Sequence, residues 1–483
     1  MRTPVRWLFS LGLIGTLTIP GYPFGFNVER ITFNSTQDWF STLAVDDSSK
    51  VHIIYRHIDE VSGDAEVYYI SDRSGTWIYE AVTANGLVDY PGEIAVTPAG
   101  SPHLTYTANS ETEVYYAKKE GPIWVLDPVT GNSNYKVPGG IALGPDSTPN
   151  IAYFQLSPGG PFIYYAAFVS DTWQIQPIPN SDTASPFDPS LAMDSNHRAH
   201  LAFGGNRDVY YATNETGVWE TTNITNDPAV DGRSCLALDR SDFVHVVMAK
   251  DDEIYYGNNR GGAFQFEQVT TNGVIDAMPS LYVDATGNAH IVSLQTPAVG
   301  DINYHTNAPG YWMQVPVYQG AVNKTLWQRN IAVDRNGYVH ITFCAGGSPS
   351  TEEVYHAVTD SAVGIEELQD AGCKMRDARL MQNYPNPFSR STTIRYQVSA
   401  DGRPRTADDL STYQPVNLSV YDLSGRFICT LLHLPSSHRT IQVSNRVVWD
   451  GMDSEGREVQ SGIYFYRLSA NGVSSTKKLT ILR

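Results

Sequence analysis

The feature that most constrains this chain is a short apolar run that returns seven times. It reads LAVD at Leu43–Asp46, IAVT at Ile94–Thr97, IALG at Ile141–Gly144, LAMD at Leu191–Asp194, LALD at Leu236–Asp239, LYVD at Leu281–Asp284 and IAVD at Ile331–Asp334. Counted on the alanine, or on Tyr282 in the sixth copy, the steps are 51, 47, 50, 45, 45 and 50 residues. Each copy is followed by a second run around a histidine (Asn150 in the third copy), then by a third run with a pair of tyrosines such as Tyr68-Tyr69, which becomes Asn303-Tyr304 in the sixth copy and Tyr355-His356 in the seventh. A fourth run opens on Trp77, Trp124, Trp173, Trp219, Phe264 or Trp312. Four short β-rich runs per unit, broken by Asn, Asp and Gly, describe one blade of a β-propeller. A single four-stranded sheet cannot bury both faces, so its neighbours must cover it. The small residue suits the innermost strands, which crowd at the axis. The seventh unit ends at Val354-Tyr355-His356 with no fourth run. Phe26–Thr32, FNVERIT, matches the fourth-run pattern WETTNIT of Trp219–Thr225. The N-terminal segment is therefore expected to complete the last blade and remove exposed sheet edges.

The fold class expected is all-β: a seven-bladed β-propeller over residues 26–360, a linker over 361–380 and a small β-sandwich over 381–483. Met1–Ile19 carries Arg2 and Arg6 before an apolar run too short to span a bilayer, which reads as a secretory signal within residues 1–25, cleaved near Gly21 or Gly25. No later run is long enough to cross a membrane. The four cysteines, Cys235, Cys344, Cys373 and Cys429, show no paired spacing, so neither a disulfide framework nor a zinc site is expected. Charge is divided. Met1–Cys373 holds 18 basic and 42 acidic residues, while Lys374–Arg483 holds 15 basic and 9 acidic. A propeller of net charge −24 repels nucleic acid and anionic lipid and suits a soluble exported monomer.

The C-terminal stretch contains Asn383-Tyr384-Pro385-Asn386-Pro387-Phe388, Tyr421-Asp422-Leu423-Ser424-Gly425-Arg426, Trp449-Asp450-Gly451 and Ser461-Gly462-Ile463-Tyr464-Phe465-Tyr466. With these motifs it resembles the C-terminal sorting domain of type IX secretion cargo, whose fold is immunoglobulin-like and also occurs in flagellar hook-capping proteins. The resemblance implies export across the inner membrane, then recognition by the type IX machinery, then release or attachment at the outer surface. Ser399–Pro415 is longer than the pattern and reads as an exposed loop.

Three repeated sets could carry chemistry. Asp46, Asp194, Asp239, Asp284 and Asp334 each precede a histidine by six residues: His52, His200, His245, His290 and His340. One pair per blade reads as a structural hydrogen bond rather than a metal ring, because buried polar groups need partners. The paired tyrosines read as blade packing. Glu66, Glu113, Asp208, Glu253, Asp301 and Glu353 stand before the third strands and would form a partial carboxylate ring on one rim. Ca²⁺ is the ion such a ring would hold; no other cofactor is expected. SDRSGTW at Ser71–Trp77 is a degenerate echo of the sialidase Asp-box turn. The Phe-Arg-Ile-Pro motif of sialidases is missing, and the sugar-binding arginine of fucose-lectin propellers has no counterpart here. No carboxylate pair stands out for glycosidase chemistry. The function expected is non-catalytic binding of an extracellular glycan or protein. The alternative is a sialidase-like glycoside hydrolase.

Overall fold

The computed structural model describes residues 15–17, 24–34, 36–58, 62–72, 76–108, 112–182, 187–227, 229, 231–296, 300–320, 323–327, 329–347, 351–363, 378–380, 383, 386–399, 416–423, 426–434, 442–455, 457–470 and 473–482. They fall into two units, Met1–Glu367 and Leu368–Arg483.

The first unit holds seven antiparallel sheets. Blade 1 runs Asp38–Val45, Val51–Ile58, Ala65–Ser71 and Ile78–Ala81, and blades 2 to 6 repeat this meander through Tyr318. In each of these, chain order is spatial order, with the apolar repeat on the inner strand. Blade 7 takes Asn323–Thr325 and Ile331–Val333 as a divided inner strand, then Val339–Gly346 and Glu353–Thr359. Its fourth strand is Phe26–Arg30, paired antiparallel with Arg30 opposite Tyr355 and Phe26 opposite Thr359. Gly15–Leu17, inside the expected signal segment, adds as a further outer strand against Phe26–Val28. Among the described residues there is no helix long and apolar enough to cross a membrane.

The aromatic repeats explain how blades adhere. The second tyrosine of each third strand packs edge-on against the aromatic residue that opens the next blade's fourth strand. Tyr69 meets Trp124 at 5.2 Å between ring centroids, Tyr116 meets Trp173 at 5.5 Å, and Tyr165 meets Trp219 at 5.0 Å. Tyr211–Phe264 and Tyr256–Trp312 continue the series. Tyr304 of blade 6 meets Phe26 at 5.6 Å, and His356 of blade 7 meets Trp77 at 5.3 Å, so the series runs through both sides of the closing blade. Such edge-to-face pairs contribute about 0.5–1.5 kcal/mol each beyond the area they bury.

The second unit is a two-sheet sandwich. One sheet is Ala378–Leu380, Thr392–Ser399 and Gln442–Trp449. The other is Phe427–Leu434, Val416–Asp422, Gly462–Ala470 and Val473–Ile481. Ala378–Leu380 lies within the expected linker but is a strand of the sandwich, because it continues the ladder of Tyr396–Val398. The core gathers Phe388, Ile394, Tyr396, Leu418, Trp449 and Tyr466. Cys235, Cys344 and Cys429 are buried free thiols; Cys373 lies outside the described residues.

Candidate functional site: the axial face

The inner strand of each blade breaks register against its neighbour. Two residues bulge between Trp39 and Thr42, Pro91 and Ile94, Pro138 and Ile141, Phe187 and Ser190, Asp231 and Ser234, and Ala277 and Ser280. In blade 7 the break is the gap between Thr325 and Ile331. A bulge bends its strand and re-aims side chains, and bulges gather near functional sites. Between blades 3 and 4 the approach is so close that only glycine fits: a Cβ on Gly139 would sit 2.5 Å from Pro189. Elsewhere the bulges carry large side chains held at positive φ: Phe40 at 57°, Met278 at 51° and Arg329 at 47°. Left-handed backbone costs such residues roughly 1–2 kcal/mol each, and strain of this kind collects where side chains must be aimed.

These bulges and their neighbours build a row of stacked groups across the axial face. The Arg56 guanidinium lies 4.2 Å from the Tyr90 ring centre. Tyr90 lies 6.0 Å from Phe40, and Phe40 lies 4.7 Å from Trp327. Arg233 closes the row, 4.8 Å from the Trp327 ring. The five side chains come from blades 1, 2, 5 and 7, and all are half-buried. Beside the row, Arg329 Nε approaches Glu93 Oε2 at 2.7 Å, Glu93 being buried, and an Arg329 NH group donates to the Leu191 carbonyl of blade 4. The Arg329–Glu93 pair thus lies beside the row, whose two ends are Arg56 and Arg233.

The residues singled out from sequence lie elsewhere. His52, His245 and His290 reach Asp46, Asp239 and Asp284 at 3.4, 3.0 and 3.2 Å. His200–Asp194 and His340–Asp334 stand further apart, at 3.6 and 3.9 Å. The other ring nitrogen of each histidine has a partner that sequence reading missed. It bonds the hydroxyl of Tyr69, Tyr211, Tyr256 or Tyr304 at 2.5–2.7 Å, and His356 in blade 7. The other aspartate oxygen caps the hairpin turn, as Asp46 does for the amides of Ser48 and Lys50. Burial alone would raise the Asp284 carboxyl, but the hydrogen bond and charge of His290 more than reverse that and hold it below the usual range. In blade 3, Asn150 takes the histidine's place and accepts from Tyr165 at 2.6 Å. The arrangement ties three strands of one sheet together.

The rim carboxylates are engaged one by one rather than gathered. Glu66, Glu253 and Glu353 accept from Thr83, Thr270 and Thr32 hydroxyls at 2.5–2.6 Å and from the amides of the loop entering the next blade. Asp208 accepts from Asn223 at 2.8 Å, Glu113 from Tyr115 at 3.2 Å, and Asp301 stands 3.7 Å from the Lys324 ammonium. Burial, opposed by Thr32 and Arg30, lifts the Glu353 carboxyl to about 7. Among the described residues no group of three or more His, Cys, Asp or Glu is placed to hold a metal ion, so the rim carboxylates are not brought together as a ring around one.

In the second unit, Trp449 packs between Phe388 and Tyr464, with centroids 5.9 Å away on each side, and donates to the Met452 carbonyl. Buried Asn383 donates to Thr392, and Asn386 Oδ1 accepts from the Thr480 amide. Pro387 follows Asn386 through a cis bond. Asp450 caps the Met452 amide, the turn that Gly451 opens at φ 76°. Asp422 caps Arg426, and Gly462 begins the strand carrying Tyr464. Tyr384, Pro385 and Gly425 lie outside the described residues. Residues 382–482 match the model of the secretion system C-terminal sorting domain. The C-terminal unit is a type IX sorting domain. A chain carrying this sorting domain is secreted or held at the outer surface, and its first partner is the type IX machinery.

No curated protein matches the chain. Among solved structures, an ulvan lyase bound to a GlcA(1-4)Rha3S segment is 10% identical, with 70% of this chain and 98% of that one covered at a TM-score of 0.48. An oligogalacturonate lyase in complex with manganese gives 10%, 71%, 96% and 0.48, and a protein of unknown function from Dyadobacter fermentans DSM 18053 gives 9%, 71%, 99% and 0.42. At these scores none of them speaks to what this propeller binds.

Proposed function

We propose that this protein is an exported binding module whose propeller holds a glycan on its axial face, after delivery by the sorting domain and removal of an N-terminal signal segment. The observation that carries the reading is the row Arg56–Tyr90–Phe40–Trp327–Arg233, assembled from four blades at the cost of strained backbone. Aromatic rings offer flat apolar faces to the C–H faces of sugars, and guanidinium groups offer in-plane donors to their oxygens. The test is a glycan array probed with the full chain and with Trp327→Ala. Binding that the substitution abolishes supports the reading; binding that it leaves intact overturns it.

The hydrolase alternative rests on His57, whose Nδ1 lies 2.7 Å from buried Asp38 and whose ring lies 5.0 Å from Tyr68. The equivalent place in other blades holds Lys250 near Asp231 and Gln295 near Asp276, at 3.8 and 3.4 Å. A donor facing the same buried acid in three blades favours a structural pair. Turnover of any chromogenic glycoside, lost in His57→Ala, would make the protein an enzyme.

A further inference from the structure

At the seam of the ring the repeated Asp–His–Tyr arrangement changes. Blades 1 to 6 place a tyrosine hydroxyl against the second-strand histidine or asparagine, but blade 7 places His356 there. His340 Nδ1 stands 3.1 Å from His356 Nε2, and the two rings stack with centroids 5.3 Å apart. His356 Nδ1 stands 3.4 Å from Glu29 Oε1 on the closing strand. Trp77 of blade 1 donates its indole N–H to the same Glu29 oxygen at 3.1 Å. On the other side His340 Nε2 lies 3.9 Å from Asp334 Oδ2, the widest of the five Asp–His pairs. Asp334, His340 and His356 are buried. The chain Asp334–His340–His356–Glu29 therefore runs from the inner-strand turn across the second and third strands to the strand that closes the ring.

A count of hydrogens separates this chain from its counterparts. In blades 1, 4, 5 and 6 a neutral imidazole donates Nε2–H to the aspartate and accepts the tyrosine O–H at Nδ1, so each gap holds one hydrogen. Blade 7 has three gaps, and a carboxylate stands at each end as an acceptor only. Two neutral imidazoles bring two N–H groups. With these placed between His356 and Glu29 and between His340 and His356, His340 Nε2 faces Asp334 lone pair to lone pair. The 3.9 Å spacing and the unbonded state of buried His340 Nε2 fit that missing hydrogen. We infer that this chain is a proton-binding latch on the closing strand. One proton from solvent adds at His340 Nε2 and is donated to Asp334; only an N–H bond forms, and the new positive charge offsets one of the two carboxylates. Burial weakens His356 as a base, against the pull of Glu29, so it remains the neutral member. Burial raises the Asp334 carboxyl, but His340, Ser49 and the Tyr338 amide outweigh that and hold it at about 2. Asp72 of blade 1 adds negative charge toward His356, and Tyr282 of blade 6 faces Asp334. The filled chain is tighter by one charge-assisted hydrogen bond, and the strand it tightens is Phe26–Arg30.

The test follows the full chain, with its histidine rings labelled with nitrogen-15, by NMR from pH 8 to pH 5.5. Beside it stands His356→Tyr, which restores the residue of the other blades. The expected result is a buried imidazolium, assigned to His340, that forms on acidification of the unmodified chain and is absent from the variant. Hydrogen exchange at Phe26–Arg30, corrected for its intrinsic rate, should slow between pH 8 and pH 6 by about tenfold more in the unmodified chain than in the variant. Both proteins keep His103, so its contribution cancels. Neutral rings at both His340 and His356 down to pH 5.5 overturn the latch, as does equal slowing of exchange in the two proteins. Should His356→Tyr fail to fold, the ring signals of the unmodified chain decide alone.

Discussion

The ring of Tyr304 in the sixth blade stands edge-on to the ring of Phe26, 5.6 Å away and tilted by 69°. These residues are far apart in sequence, yet they make the contact that neighbouring blades make everywhere else. Phe26 is 1% exposed and shares a core with Phe24, Val315, Ile341 and Phe343. Phe26→Ala should therefore cost roughly 3–5 kcal/mol, the range for emptying a buried aromatic site. Urea unfolding of the propeller transition measures it. A loss below about 1 kcal/mol would mean that the N-terminal strand does not close the ring.

The closing strand and the seven blades were legible because they rest on period and on residue type. Trp219–Thr225 and Phe26–Thr32 share a pattern, and Tyr68-Tyr69 marks a third strand wherever it recurs. The Asp–His pairs were legible as pairs, but their tyrosine partners were not, because pairing of the second and third strands brings them together across a variable loop. The axial row was invisible for a stronger reason. Phe40, Tyr90, Arg233 and Trp327 sit at or beside the breaks in register, where alternation fails, and they are four different residue types, two of them four positions before the repeated residue and two of them five. The one sequence trace is a bulky residue four positions before the repeat position, Phe40 before Ala44 and Met278 before Tyr282.

Stability should fall in acid through His103. Burial, and after it the charge of Lys118, holds this imidazole down at about 4. A histidine kept neutral when folded contributes stability that is complete above its unfolded value near 6.5 and is lost as the pH falls toward 4. The loss is about 3 kcal/mol. Asn150 shows what could replace it, since it accepts the same tyrosine bond in blade 3. His103→Asn should therefore flatten the acid limb, read as urea midpoints at pH 7 and pH 4. An unchanged acid limb would contradict the assignment.

Glu353 should act in the opposite sense. Its carboxyl is raised to about 7, chiefly by burial. The protonated form is favoured in the fold, so its contribution is complete below about 4.5 and is lost as the pH rises through 7. Glu353→Gln should then be the more stable protein at pH 8, with the difference vanishing at pH 4. Thermal midpoints across that range decide it. Equal midpoints at pH 8 would show that Arg30 and Thr32 already offset the burial.

Arg329 and Glu93 should be coupled. Arg329→Met leaves a buried carboxylate without its cation, at a cost of about 3–5 kcal/mol. Adding Glu93→Gln should restore part of that loss, so the double variant is more stable than the sum of the singles. A denaturation cycle on the four proteins gives the coupling directly. Simple additivity would mean that the pair is not a unit.

Passage across the outer membrane should depend on the sorting domain. A chain ending at residue 380 keeps every strand of the propeller. In a bacterium with the type IX machinery it should accumulate in the periplasm, folded, while the full chain reaches the surface or medium. Cell fractionation with limited proteolysis reads both location and folding.

The central claim is that ligands bind on the axis rather than between blades. A rival among the described residues is a cleft of about 320 Å³ between blades 1 and 2, lined by Tyr69, Ile78, Glu80, Ser101 and Lys119. Lys119 pairs there with Glu80 and lies 5.4 Å from the Tyr69 ring. Hydrogen exchange of the full chain, with and without a saturating glycan that the array identifies, separates the two. The account predicts new protection at Trp39–Thr42, Tyr90–Ile94, Gly232–Ser234 and Leu326–Ile331. Protection at Ile78–Ala81 and Ala99–Pro102, with none at the inner-strand bulges, would contradict it.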